Sequence, residues 1–189
     1  MPTTILDSGG IEEAIAAMAK DIVAKKSDAP WAVVGIHRGG EPLARRLAAE
    51  IERLAGQKPP LGSVDITLYR DDGFGPHDWP TVGSSRIEFD IPKHTVILVD
   101  DVLFTGRTVR AAVDAILDYG RPKAVRLAVL IDRGLRELPI APDFVGKVIA
   151  TKPHQHVEVR LRDTHSPEDV AIIDEPAKGG KKAPAGGAS

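Results

Sequence analysis

The densest chemistry in this sequence lies in residues 96–108, VILVDDVLFTGRT. The run at 96–99 reads as a buried strand, Asp100 and Asp101 follow it, residues 102–106 form a loop, and a helix opens near Arg107 and Thr108. In an open α/β sheet, ligands bind at the carboxyl ends of the strands, which is where this segment lies. Successive backbone N–H groups in a turn at a helix N-terminus can cradle a phosphate dianion. Gly106 lets the backbone approach that phosphate, and the hydroxyls of Thr105 and Thr108 add donors. The two carboxylates suit the vicinal hydroxyls of a ribose and put negative charge near a cationic transition state. A strand followed by two acids also fits an N-capping pair, a Walker B strand or a receiver domain. No GxxxxGK[ST] loop occurs in the chain, which argues against an NTPase, and a receiver domain has no use for the TGRT turn.

These residues need a scaffold, and hydrophobic periodicity supplies one. Ile11, Ile15, Met18, Ala19 and Ile22 share a helical stripe, with Ser8 as its expected N-cap and Glu12 and Glu13 in the first turn. Residues 31–36 read as a buried strand that stops at a glycine-rich turn. Leu43, Leu47, Ile51 and Leu54 then mark a helix with Pro42 in its first turn. Val64, Ile66 and Leu68 alternate with polar residues, so a half-buried strand is expected there. Residues 73–86 carry glycines, prolines and little periodicity, the pattern of a long lid loop.

Val109, Ala112, Val113, Ile116 and Leu117 give the next helix its apolar face. Strands are expected at 124–131, around Val157 and Val159, and at 170–173. Strands alternating with helices argue for an α/β domain with a mainly parallel sheet over residues 1–175. Residues 176–189 are rich in Pro, Gly, Ala and Lys, and a disordered tail is expected.

With 189 residues, 42% hydrophobic and 28% charged, the chain is long and apolar enough for one domain with a substantial core. A net charge of −2 gives no global case for nucleic acid or membrane binding. The absence of cysteine excludes disulfides, zinc–thiolate sites and cysteine nucleophiles. No signal-like N-terminus or membrane-length apolar run is present, so a cytoplasmic protein is expected.

The thirteen-residue string 96–108 resembles the phosphoribosyl pyrophosphate (PRPP) signature of type I phosphoribosyltransferases. DITLYRDD at 65–72, GRP at 120–122, LAVLIDRGLRELPI at 127–140 and PDFVGKVIATK at 142–152 narrow the likeness. They resemble the PyrR family of pyrimidine-operon regulators that are also uracil phosphoribosyltransferases, and the similarity runs from about residue 5 to 173. The resemblance implies a type I phosphoribosyltransferase fold with a small hood and a flexible lid. It also implies transfer of the phosphoribosyl group of PRPP to uracil, giving UMP and pyrophosphate, with Mg²⁺ carried by the substrate.

On this resemblance Asp100, Asp101 and Arg70 are the catalytic candidates. His37, Arg38, Gly39, Val102, Leu103, Phe104, Thr105, Gly106, Arg107, Thr108, Arg133 and Val157 are the PRPP and nucleotide contacts, and no dedicated protein metal site is expected. The turn at 35–40 sits where the family keeps a pyrophosphate loop resembling G-I-x-T-R-G, yet Arg38 stands at the threonine position and Gly39 at the arginine position. Arg38 and the backbone are then the expected diphosphate ligands. His154 and His156 are read as exposed strand residues.

The family's second role, binding pyrimidine-operon leader RNA in response to uridine nucleotides, needs a basic face. Here the first helix carries Glu12 and Glu13 where RNA-binding members carry basic residues, and Leu135 stands at the histidine of an RGHREL motif. Arg45, Arg46, Arg53, Arg121, Arg126 and Arg136 remain as material for such a patch. Family members also lead us to expect a homodimer or larger assembly.

Overall fold

The computed structural model describes residues 2–69, 83–164 and 166–175. Five strands form a parallel sheet: β2 (Trp31–Ile36), β3 (Leu61–Val64), β4 (Thr95–Leu103), β5 (Ala124–Asp132) and β6 (Phe144–Val148), in the spatial order β3-β2-β4-β5-β6. β4 is the central strand, paired in parallel with β2 and β5. Its side chains divide between the two faces, as the two-residue period of a strand demands. Ile97 and Val99 enter the core under helices α1 (Ser8–Ala24) and α2 (Gly40–Ala55). Val96 and Leu98 enter the core under α3 (Arg107–Leu117). Burial on both faces explains why the strand reads as an unbroken apolar run.

The ends of the chain build a second, three-stranded antiparallel sheet from β1 (Thr3–Leu6), β7 (His156–Arg160) and β8 (Val170–Asp174), in the order β1-β8-β7. This is the small hood. Arg46 of α2 ties it to the body, forking between Asp163 and the buried Asp169, whose Oδ2 lies 2.9 Å away.

Four local expectations change. α1 is capped by Asp7, whose Oδ1 accepts from the Gly10 amide at 2.8 Å; Ser8 is already helical. Asp7 takes the extended backbone that an N-cap needs, so the boundary moves by one residue. The strand expected through Leu68 ends at Val64, and Thr67–Tyr69 is a 3₁₀ turn with Leu68 69% exposed. Asp65 Oδ1 accepts the Thr67 amide at 2.7 Å, a local bond that competes with the sheet ladder and wins. Conversely, β4 runs on to Leu103 because Val102 and Leu103 still pair with Ile131 and Asp132. Asp100 and Asp101 therefore lie within the strand. Leu117, expected on the buried face of α3, is 48% exposed, and Ala111 and Ala115 fill that face. The expected tail at 176–189 lies outside the described residues, as do residues 73–82 of the expected lid.

Candidate functional site

A cleft of about 580 Å³ opens at the carboxyl end of the sheet, lined by the ends of β2, β3 and β4 and the first turn of α3. Asp100, Asp101, Val102 and Thr108 form one wall, and His37, Arg38 and Gly39 the other. Asp100 is 6% exposed. Its pKa is pushed well above the usual carboxylate range, first by burial and then by the neighbouring charge of Asp101. Burial also raises Asp101, against the stabilising amide of Val102. Two buried acids on consecutive strand residues resist double ionisation. Their acceptors are partly used by backbone: Asp100 Oδ1 takes the Asp101 amide at 3.0 Å, and Asp101 Oδ1 takes the Val102 amide at 2.7 Å.

The turn after β4 is held from one side only. Arg136 Nη1 donates to the carbonyls of Phe104 and Gly134 at 3.0 and 3.1 Å, and its Nη2 pairs with Asp132 at 2.6 Å. The Glu137 and Leu138 amides both donate to the Thr105 carbonyl, at 3.0 and 3.1 Å. Gly106 adopts φ +93°, a left-handed conformation suited to glycine, and its carbonyl starts α3 by accepting from Arg110. The Phe104 and Thr105 carbonyls are thus committed to the 133–140 segment. Among the described residues, no hydrogen bond engages the amides of Phe104, Thr105 or Gly106. Free amides at a helix N-terminus make an anion cradle.

The opposite wall depends on close approach. A Cβ at Gly40 would stand 2.2 Å from the Val99 carbonyl oxygen, and one at Gly39 would stand 2.2 Å from Asp101 Oδ2. The space at position 39 is occupied by the Asp101 carboxylate, so no side chain fits there in this arrangement. The His37–Arg38 peptide is cis, and Arg38 is exposed at the cleft. His37 is fixed by its backbone, which donates to the Val64 carbonyl at 2.9 Å, and its Nε2 lies 3.4 Å from Glu41 Oε2.

The remaining expected site residues are placed as follows. Arg70 lies outside the described residues. Leu103 is buried in the core beneath α3, so it meets the site only through its backbone. Phe104 packs under Arg133, whose guanidinium sits 4.1 Å from the ring centroid. Arg133 is 4% exposed and is spent on the chain at 151–155, donating to Thr151 Oγ1, Lys152 O and Gln155 O. Burial lowers its pKa. Val157 is a core residue of β7, opposite Ile173. Arg107 pairs with Glu137 at 2.7 Å. His154 lies in the turn before β7, which begins at His156.

Residues that the sequence reading did not single out also line the cleft: Asp65, Ile66, Thr67 and Gly83. Only the unusual acid in a β-rich run hinted at Asp65. The arginines considered for a basic face are mostly neutralised. Arg45 faces Glu41, Arg46 faces Asp163 and Asp169, Arg53 faces Glu50, Arg126 faces Asp143 and Arg136 faces Asp132. Glu12 and Glu13 are exposed, and Leu135 takes a left-handed φ of 60° at the surface. Among the described residues, no helix is long and apolar enough to cross a membrane.

With this geometry in hand, the chain can be set beside known proteins. Residues 2–164 match the family model for the phosphoribosyl transferase domain. The bifunctional protein PyrR of Deinococcus radiodurans is 46% identical over 172 residues, covering 90% of this chain and 94% of the relative. The bifunctional protein PyrR of Pelotomaculum thermopropionicum is 48% identical over 171 residues, covering 90% and 94%. Among solved structures, a Trypanosoma cruzi hypoxanthine phosphoribosyl transferase superposes with TM-score 0.67 at 17% identity, covering 91% of each chain. At that identity the likeness speaks for the fold alone.

Proposed function

This chain belongs to the phosphoribosyl transferase domain family and, within it, to the PyrR family, and on that premise we propose that its cleft transfers the phosphoribosyl group of PRPP to uracil. The observation that carries the reading is the pair Asp100-Asp101 at the end of β4, Asp100 buried and Asp101 half-buried, followed by a turn whose amides no hydrogen bond engages among the described residues. The 5-phosphate of PRPP takes those amides and the hydroxyls of Thr105 and Thr108. The ribose hydroxyls donate to the Asp pair. The diphosphate lies over the backbone of residues 37–40, with the Arg38 guanidinium beside it.

Transfer breaks the bond from C1 of the ribose to the pyrophosphate oxygen and forms the bond from C1 to uracil N1, with loss of the N1 proton. The cationic ribose that develops between these events is stabilised by the negative charge that the coupled Asp100-Asp101 pair carries, its oxygens held beforehand by the Asp101 and Val102 amides. Arg70 is the second pyrophosphate cation. Mg²⁺ fits as an ion brought by the substrate, for which the cleft offers carboxylate oxygens to complete part of the shell. When bound, it neutralises charge on the leaving pyrophosphate. The reaction is tested by UMP formation from uracil and PRPP with Mg²⁺, with guanine and hypoxanthine as competing acceptors. Uracil turnover is expected; PRPP binding with turnover of a purine alone overturns the assignment.

The second activity, responsive binding of pyrimidine-operon leader RNA, is supported by the PyrR relatives at 46–48% identity. The ion-paired arginines mean that its phosphate contacts come from few free cations. A gel shift with leader RNA is expected to tighten on addition of UMP and to weaken steeply with salt. Binding indifferent to both UMP and RNA sequence would remove this role. A homo-oligomer is proposed as the working form, to be measured by light scattering.

A further inference from the structure

An acid at the mouth of a site that must take a diphosphate is unfavourable unless its charge is used, and Asp65 is such an acid. Its carboxylate lines the cleft on the pyrophosphate side. Both oxygens are engaged by backbone: Oδ1 takes the Thr67 amide at 2.7 Å and Oδ2 takes the Gly83 amide at 2.6 Å. Its own amide donates to Ser85 Oγ at 2.9 Å. One residue therefore joins the end of β3, the 3₁₀ turn at 67–69 and the chain returning at 83–86. A backbone pair reinforces the join, with Ser63 and Arg86 exchanging hydrogen bonds of 2.9 and 2.8 Å.

The same spot also governs the pyrophosphate turn. A Cβ at Gly83 would stand 2.3 Å from Asp65 Oδ2 and 3.5 Å from His37 Nδ1, so carboxylate, imidazole and the Gly83 backbone converge on one point. His37 is thus bounded by Asp65 and Gly83 on its Nδ1 side and by Glu41 on its Nε2 side. The His37 backbone is held by the Val64 carbonyl at 2.9 Å, and these neighbours bound its ring.

We propose that Asp65, acting through the Gly83 and Thr67 amides and against His37, is a positioning residue that holds the pyrophosphate turn in the shape that receives PRPP. It contacts no reacting atom. This role rests on the phosphoribosyltransferase reading, and it predicts a defect in PRPP capture and not in the chemical step. Gly83 is part of the same device, because only glycine lets its backbone reach the carboxylate.

The test is a double-mutant cycle read by calorimetric binding of Mg-PRPP, steady-state kinetics and amide exchange at Thr67 and Gly83. Asp65→Ala is expected to weaken PRPP binding about tenfold, the worth of one charge-assisted bond, with kcat at saturating PRPP nearly unchanged. Gly83→Ala should do the same in the wild-type chain, yet add nothing in the Asp65→Ala background, where its methyl has room. Both amides should lose protection in Asp65→Ala. Asp65→Asn, which keeps the volume and one acceptor, should lose protection at Gly83 or Thr67 alone and fold normally.

Wild-type PRPP affinity in both single variants, or strictly additive losses in the double variant, overturns the proposal. A loss confined to kcat does so as well. A wild-type chain that binds PRPP but makes no UMP sinks the transfer reaction and leaves the positioning role standing. A wild-type chain with no affinity for PRPP removes both.

Discussion

Across the cleft, the end of β4 and the turn after it present a buried and a half-buried carboxylate and, among the described residues, three unengaged amides, whereas the β2–α2 turn presents backbone, two packed glycines and an exposed guanidinium. The first wall owes its shape to hydrogen bonds from Arg136 and from the Glu137 and Leu138 amides, all reaching in from one side. The second owes its shape to the near contact of Gly39 with Asp101 and of Gly40 with Val99. On the proposed reading, side chains on one wall do chemistry, and on the other, missing side chains permit it. The two walls should therefore fail differently when perturbed.

The largest failure is expected at Asp101. Asp101→Asn removes charge opposite the developing cation and should lower kcat on the order of 100-fold or more, the range seen when one preorganised electrostatic group is lost. The fold should survive. Asp100→Asn should lower turnover too, while raising the melting temperature at neutral pH. Burial, then Asp101, holds the folded-state pKa of Asp100 above its unfolded value. Such a group favours the folded chain fully below the unfolded pKa and loses that contribution as pH rises through the folded one. The gain in Asp100→Asn should accordingly be present at neutral pH and shrink on acidification toward the ordinary carboxylate range; calorimetric melting over an acid-to-neutral pH series reads it directly. A lower melting temperature at pH 7 would mean that the Asp pair is a net stabiliser, contrary to its burial.

Next in size is Gly39→Ala. A methyl placed 2.2 Å from Asp101 Oδ2 must displace that carboxylate. Overpacking of this kind costs about 1–3 kcal/mol, which as misplacement of the ribose acceptor is roughly 5- to 150-fold in kcat/KM for PRPP. Gly40→Ala pushes instead on the Val99 carbonyl and should cost about the same in stability, read by urea unfolding. If Gly39→Ala is destabilising but fully active, the two glycines do the same job, and the contrast between the walls is smaller than the geometry implies.

The walls also differ in how openly the sequence announced them. Residues 96–108 declared themselves because an apolar run, two acids and a Thr-Gly turn are each local signals, and they succeed one another within a single strand and turn. The helix faces of α1 and α2 were equally local, resting on a period that one window can show. What depended on distant partners stayed hidden. Asp65 gains its meaning from Gly83, eighteen positions away, and the turn it makes with Thr67 ended a strand that alternation alone would have carried to Leu68. Arg133 and Arg136 share one short motif, yet Arg133 clamps the chain at 151–155 and Arg136 braces the carbonyls of the phosphate turn. No spacing rule distinguishes those directions. The ion pairs that consume Arg46 and Arg126 likewise bring together residues more than fifteen positions apart.

The smallest effect tests the exposed guanidinium on the second wall. Arg38 is exposed at the cleft, so its attraction for a diphosphate is screened by water and exceeds only modestly the worth of a surface pair. Arg38→Gln should raise KM for PRPP about three- to tenfold and leave kcat nearly unchanged, because the charge is felt equally by bound substrate and transition state. The dependence of KM on ionic strength should flatten at the same time, since one fewer cation is being screened. A fall in kcat instead would move Arg38 from holding the pyrophosphate to stabilising its departure. The second wall would then contribute a side chain to the chemistry after all, and the arginine displaced from position 39 would have been replaced one residue earlier.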